Sequence, residues 1–437
     1  MPKTPNKKIV DSAIEELDKV RREWLRQPGV TAVDVGFKIK EKTVTDDVAL
    51  RVHVARKKPV AELEASQVFN VTGKAPKKQG GFPIDVIQAQ YAPSEQRSTP
   101  MALDDADEDA IAGIERLTVF DPLIGGVSCG NPRVTAGTIG VIVFDRRTCR
   151  PMILSNWHVL AGSASAAVGE GILQPGRVDG GTQVVANLTR MRLDSRMDAA
   201  VATLNSARGH SRDILGLGTI TGMDTATLGM EVEKSGRTTG ITRGLVDGVS
   251  MSVSINYTDP GVINFTNQIR IVPRPPWPAV DTEISMGGDS GSIWMNQRTN
   301  RAIGLHFAGE TDPLPASENA ICNPIQEVAR ELDFSFMPVL CPIQPPVRPP
   351  LIDFCDRFPE ICELLRRRWP TIPPFPPIPR PGPDPLPFDL PRDDLRVLTQ
   401  MLGGGGADQR GCSCGGHGGD DRLLQLVALL ALYGRGN

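Results

Sequence analysis

The chain has 437 residues, 40% of them hydrophobic and only 5% aromatic, with 44 Gly and 38 Pro. That is more than one domain's worth of chain, rich in turns and with some sequence outside any core. A net charge of -3 gives no global basic excess for nucleic acid or an acidic membrane surface, and no run reaches the roughly 18–20 apolar residues of a spanning helix.

Residues 8–26 place Ile9, Ala13, Ile14, Leu17, Val20, Trp24 and Leu25 at helical spacing, ended by Pro28-Gly29. Val33, Val35, Phe37 and Ile39 then alternate, as do Val48, Leu50, Val52 and Val54, which predicts two strands joined near Glu41-Lys42. Ile84, Val86 and Ile87 suggest a third strand. Residues 1–94 therefore read as a small α+β domain, with His53 as a solvated histidine on a polar strand face. Residues 95–116, with Asp104-Asp105-Ala106-Asp107-Glu108-Asp109, read as an exposed acidic linker.

From 117 to 338 short β-rich runs alternate with Gly turns, as in Gly137–Phe144, Val184–Leu188 and Leu245–Val249. Many short strands at close spacing imply a sandwich or barrels, and this length suits two small barrels. Pro324–Leu332 reads as a closing helix. Residues 339–420 are Pro- and Gly-rich, with a short helix expected over Ile352–Arg368 and extended polyproline over Pro373–Pro379. Residues 421–437 carry a final apolar helix, Leu423–Tyr433, too short to span a bilayer. The polar start, Met1–Lys8, lacks the apolar core of a secretory signal. The expectation is a cytoplasmic chain, unconventional export aside, whose cysteines are mostly reduced. Cys129 and Cys149 flank one hairpin and could pair in an exported protein; two free buried thiols are the expectation.

The chemistry concentrates in three segments. Met286-Gly287-Gly288-Asp289-Ser290-Gly291-Ser292 is too glycine-rich for a helix interior and too short for a linker. Glycines around Ser290 permit a tight turn that presents its hydroxyl and aims the N–H groups of Gly288 and Ser290 at one point, as an oxyanion hole requires. Ile153–Val159 is an apolar strand with His158 at its end, placed to act as a base. Asp198 opens the apolar run Ala199–Ala202, where a carboxylate at a strand edge can orient an imidazole; Asp194, followed by polar residues, ranks below it. The order His, Asp, Ser is one in which hydrolytic triads occur.

On these residues the chain resembles the chymotrypsin-like (trypsin-fold) serine proteases. Gly288-Asp289-Ser290-Gly291 matches the nucleophile motif. Ser155-Asn156-Trp157-His158-Val159 and Met197-Asp198-Ala199-Ala200-Val201 are similar to the histidine and aspartate motifs. Lys234–Gly240 resembles a hairpin of the streptogrisin and alpha-lytic branch. The segments Leu123–Gly126 and Ile172–Gly176 are shared with a bacterial group related to plant narrow-leaf trypsin-like proteins. The resemblance spans roughly residues 120–335. It implies a mainly β fold of two six-stranded barrels with the triad in the cleft between them, and it implies that Asp289 fixes the oxyanion loop. Ser292 stands where the family usually has another glycine, and Asn156-Trp157 where the animal enzymes have two alanines.

The same resemblance bears on specificity. The strand after the nucleophile lines the primary pocket, and Gly304-Leu305-His306-Phe307-Ala308-Gly309 looks like that strand in glutamyl endopeptidases. His306, with Ser285 adding a hydroxyl, would read Glu or Gln before the scissile bond; the other reading is a core histidine. Ile284 stands where an acid would select Lys or Arg. With Glu specificity, Glu95, Glu108 and Glu115 are candidate self-processing sites, and the N-terminal domain weakly resembles bacterial pro-regions. The overall expectation is a serine endopeptidase acting on protein or peptide substrates, without metal or other cofactor. The alternative is a latent scaffold or sensor whose tail binds partners. The cluster Cys412-x-Cys414-x-x-His417 offers only three metal ligands, so a solvated thiol pair is expected there. The Pro-rich tail reads equally as a partner site or a spacer.

Overall fold

Helix α1 (Lys7–Leu25) begins where the side-chain oxygen of Asn6 takes the Lys8 N–H at 2.9 Å. Its buried Ala13, Leu17 and Trp24 pack on Val33, Val35 and Phe37 of strand β1 (Val30–Lys40) and on Leu50 and Val52 of β2 (Thr43–Val54). β2 pairs antiparallel with β1 and parallel with β3 (Phe82–Gln88), and β4 (Tyr91–Pro93) follows. This computed structural model describes residues 2–40, 43–57, 78–93, 115–274, 283–310, 318–339 and 363. Met1–Pro346 form one unit and Val347–Asn437 another. Apart from Glu363, the expected tail helices lie outside the described residues, as do the polyproline run, the Cys412–His417 cluster, Glu95 and Glu108.

The first barrel half contains β5 (Val141–Asp145), β6 (Pro151–Ser155), β7 (Gly171–Leu173), β8 (Val184–Leu193) and β9 (Asp198–Leu204). They form a sheet in the order β7-β8-β9-β6-β5, finished by Phe334–Ser335. Alternate side chains go to different apolar clusters: Ile142, Ile153, Ala200 and Ala202 to one, Val143, Leu154 and Val201 to another. Both faces are buried, which is why these strands read as continuous apolar runs. The second cluster also holds Ile293, Leu305 and Val328, so it glues the two halves and the closing helix α3, Ile325–Glu331, together.

The second half is a closed ring. β10 (Glu231–Gly236), β13 (Ile293–Asn296), β14 (Arg301–Glu310), β15 (Ala320–Pro324), β12 (Val262–Pro273) and β11 (Gly240–Asn256) pair in that order, and β10 returns to β11. Two of these strands overrun their neighbours. β11 pairs with β10 only as far as Leu245, and β1 takes the same strand at Gly248–Val253. β14 pairs with β13 only as far as Leu305, and β4 joins it at Ala308–Glu310. The N-terminal strands thus cover the two overhanging edges of the ring, edges that would otherwise present unpaired backbone groups.

Two expectations are corrected here. His53 is fully buried rather than solvated. β1 and β3 flank its strand, its Nε2 lies 3.1 Å from Asp34 Oδ1, and the Tyr91 hydroxyl lies 2.5 Å from its Nδ1. Burial is the largest influence on this imidazole and lowers it. Of the two cysteines near the hairpin, Cys129 is buried and free, whereas Cys149 is disulfide-bonded, so the expectation of reduced thiols fails at Cys149. Among the described residues no helix is long and apolar enough to cross a membrane.

Candidate active site

Ser290 sits in the turn that leads into β13. Asp289 donates its N–H to the Met286 carbonyl at 3.0 Å, and Ser292 donates to the Asp289 carbonyl at 3.0 Å. Gly291 bonds the His306 carbonyl and His306 bonds the Ser292 carbonyl, both at 2.9 Å, which zips the turn to β14. From the other side Thr138 holds it twice: its N–H on the Ser290 carbonyl and its hydroxyl on the Gly288 carbonyl, each 2.8 Å. Gly291 has φ +95°, and a Cβ there would stand 2.1 Å from Ser155 Oγ. Gly288 has φ +101°, with Thr238 Oγ1 2.4 Å from where a Cβ would be. Both glycines are therefore required by conformation and by space.

Asp289 is fully buried beneath this turn. Its carboxylate accepts the N–H groups of Thr238 (2.8 Å), Thr239 (3.1 Å) and Met286 (3.0 Å), the Thr239 hydroxyl (2.6 Å) and the Lys234 ammonium (3.1 Å). Burial alone would raise this carboxyl, but Lys234 and the hydrogen bonds outweigh it and hold it below its ordinary value. The Lys234–Gly240 segment is the hairpin of β10 and β11, so the expected hairpin carries the partner of Asp289.

His158 lies on a single helical turn, α2 (Trp157–Leu160), directly after β6 rather than on the strand itself. Asp198 opens β9, the neighbour of β6. His158 Nδ1 and Asp198 Oδ2 are 2.5 Å apart, and the backbone N–H of His158 reaches Asp198 Oδ1 at 3.3 Å. The tautomer with the proton on Nδ1 leaves Nε2 as the bare lone pair. That nitrogen is buried and has no hydrogen-bond partner among the described residues. The Asp198 backbone is clamped by Asn156, whose side-chain amide meets the Asp198 carbonyl at 2.8 Å, and by Asn323, whose carbonyl oxygen accepts the Asp198 N–H at 3.2 Å. Gly137 stands where the two halves meet: a Cβ there would lie 2.4 Å from Val159 Cγ2 and 3.1 Å from the Ser290 carbonyl oxygen. Asp194 is elsewhere, paired with Arg192 and taking the N–H groups of Arg196 and Met197.

One member of this cluster was not legible in the sequence. The Tyr257 hydroxyl, at the end of β11, donates to Asp198 Oδ2 at 2.7 Å. Its ring centroid is 6.0 Å from that of His158. No motif surrounds it.

The expected pocket residues are arranged as follows. His306 is fully buried on β14, edge-on to Trp294 with centroids 6.3 Å apart. Burial first, then the Lys234 charge, brings its imidazole down to about 3, so the ring is neutral at physiological pH. Ser285 is half-buried, and its N–H donates at 3.2 Å to Glu318 Oε1, which also accepts from Ile284 at 3.3 Å. Glu318 was likewise absent from the sequence reading. Burial, then the neighbouring Glu283, pushes its carboxyl up to about 8. A carboxyl held largely protonated at neutral pH thus backs the Ile284-Ser285 segment.

No protein-family profile matches the chain, and no curated protein does. Solved structures similar to it include Thermobifida fusca Protease A, at 20% identity over 48% of this chain and 96% of that chain, TM-score 0.35. A glutamic-acid-specific serine protease described as using a histidine triad in substrate binding is 20% identical over 49% and 99%, TM-score 0.37. An alpha-lytic protease homolog, N4, is 18% identical over 49% and 99%, TM-score 0.37. These similar structures are trypsin-like serine proteases; the described residues of this chain are themselves mainly β.

Proposed function

We propose that this chain is a serine endopeptidase that hydrolyses peptide bonds through an acyl-enzyme. The observation that carries the reading is the part-buried His158, oriented through Nδ1 by Asp198 and with no hydrogen-bond partner on Nε2 among the described residues, on a helical turn that meets the Ser290 segment across Gly137. In this mechanism His158 Nε2 takes the Ser290 proton as the hydroxyl attacks the scissile carbonyl, then returns it to the leaving amine. Asp198 keeps the imidazole in the working tautomer and stabilises its charged form. The N–H groups of Gly288 and Ser290 would receive the oxyanion, one such donor being worth about 3 kcal/mol of barrier.

For specificity, His306, Ser285 and Glu318 support a preference for Gln or Glu before the scissile bond. Two neutral hydrogen-bonding groups, the imidazole and the protonated carboxyl, suit an amide better than a carboxylate, so Gln ranks first. Self-processing after Glu95, Glu108 or Glu115 is part of the same proposal; N-terminal sequencing of purified protein checks it, and an intact Met1 in active enzyme would remove it. A second reading, a latent scaffold binding partners through its Pro-rich tail, is favoured by one observation: Ser290 is only 1% exposed. Labelling with a small active-site phosphonate separates the two. Wild-type protein should be labelled and Ser290→Ala should not; absence of labelling even after cleavage of the 95–116 segment would favour the scaffold.

A further inference from the structure

We infer that β4 is a built-in occupant of the track along which a peptide substrate would pair, and that the N-terminal layer carrying it stays in the working enzyme. The inference rests on the protease reading above and concerns the regulation of that same site.

The track follows from the ring itself. β13 and β4 both run antiparallel to β14, and with β15 on its other edge they lie end to end along one edge of it. β13 starts at Ile293 opposite Leu305, and just before it Gly291 and Ser292 bond His306. Above that point the edge of β14 is open to any extended chain. β4 fills it with Tyr91 opposite Glu310, Ala92 opposite Gly309 and Pro93 opposite Ala308. Its direction takes it from Glu310 down toward His306, so its C-terminal end points at the Ser290 turn. A peptide adding to this edge in the same sense would deliver its own downstream carbonyl to Ser290. Both cannot lie there together.

β4 is held firmly. Tyr91 packs in an apolar cluster with Phe307, Ala308 and Met251, and its hydroxyl meets His53 Nδ1 at 2.5 Å. The Gln90 N–H donates to Glu310 Oε1 at 3.2 Å. The layer behind it is built into the ring. Arg51 of β2 bonds Asp34 of β1 and reaches Asp247 of β11 at 2.8 Å, and Arg270 of β12 meets the same Asp247 oxygen at 2.6 Å. Gly36 and Gly248, paired across β1 and β11, leave the room: a Cβ on Gly36 would stand 2.1 Å from Arg51 Cζ, and one on Gly248 2.2 Å from Asp34 Oδ2. Stripping the layer would remove the Arg51 partner of Asp247 and uncover Met251 and Val253, so displacement of the short β4 is the less costly way to open the track.

The test uses the full chain and two phosphonates, one small and one carrying an N-acylated tetrapeptide. Both should label Ser290, but only the peptidyl reagent should speed amide exchange at Tyr91 and Ala92, by at least about tenfold. Tyr91→Ala should lower KM for an N-acylated tetrapeptide ester about tenfold and leave a single-residue ester unchanged, because an occupied edge lowers apparent affinity by the fraction of time it is open. Labelled molecules should keep residues 1–93 on a native gel, cut or uncut. Unchanged exchange with the peptidyl reagent would overturn the inference in the unaltered chain, whatever the folding of Tyr91→Ala, and loss of residues 1–93 would overturn the permanent layer. If neither phosphonate labels Ser290, the protease reading itself fails, an outcome distinct from a β4 that does not move.

Discussion

The Lys234–Asp289 pair and the Asp34–Arg51–Asp247–Arg270 group are both 4% exposed or less, yet they hold different things. Asp289 gathers three backbone N–H groups, so its charge shapes a turn. The other group alternates sign across four strands and fastens one layer of the molecule to another. The comparison teaches that buried charge is used here once for local geometry and once for assembly. In both cases the cost of desolvation is met by close pairing, which makes removal of one partner far more damaging than the pair's net worth.

The largest expected effect would break that distinction if it is wrong. Lys234→Met leaves Asp289 without its cation, and Arg51→Met leaves Asp247 with Arg270 and Asp34 with only the His53 imidazole. Each should cost about 3 to 5 kcal/mol of stability in a urea titration. The two should part company in chemistry. Per folded molecule, labelling of Ser290 by a small phosphonate should slow at least about tenfold in Lys234→Met and stay unchanged in Arg51→Met. Equal slowing would mean that the two groups act as one network.

A smaller effect sharpens the same contrast where Tyr257 of the second half meets Asp198 of the first. Tyr257→Phe removes one hydrogen bond to Asp198 and little volume. Loss of a hydrogen bond to a charged group predicts a fall of about tenfold in kcat/KM, roughly 1.4 kcal/mol. Since Asp198 keeps its contacts with His158, Asn156 and Asn323, stability should move less than activity. The reverse order would make Tyr257 a packing residue only.

What was legible beforehand follows from how local each signal is. The turn around Ser290, the strand before His158 and the strand after Asp198 are each written in a few consecutive residues, because glycine conformation and apolar runs are local properties. The alternating pattern located β1, β2 and β3, but it also placed His53 on a polar face. In the fold both faces of β2 are covered, and the partner that satisfies His53 comes from Tyr91, 38 residues later. Tyr257 and Glu318 are single polar residues that meet the site across 59 and 33 residues of separation. Nothing in their neighbours marks them, and only the closed ring brings them in.

Glu318 gives the last of these tests. Its folded value of about 8 lies above the unfolded carboxylate value of about 4.3, so the folded chain retains a proton that the unfolded chain releases. The associated stability is therefore complete below about pH 4 and is lost as the pH rises to about 8. Glu318→Gln keeps an oxygen for the Ile284 and Ser285 N–H groups but cannot ionise. It should flatten the fall in stability between about pH 5 and 8 and exceed the wild type at pH 9 by on the order of 5 kcal/mol. An identical pH slope in both proteins would mean that the carboxyl is already ionised in the fold. The pocket should respond with the same sign. Above pH 8 a carboxylate beside Ser285 should favour a cationic side chain over Gln, so a peptide-library profile should shift toward Lys or Arg between pH 6 and pH 9 in the wild type and stay fixed in Glu318→Gln.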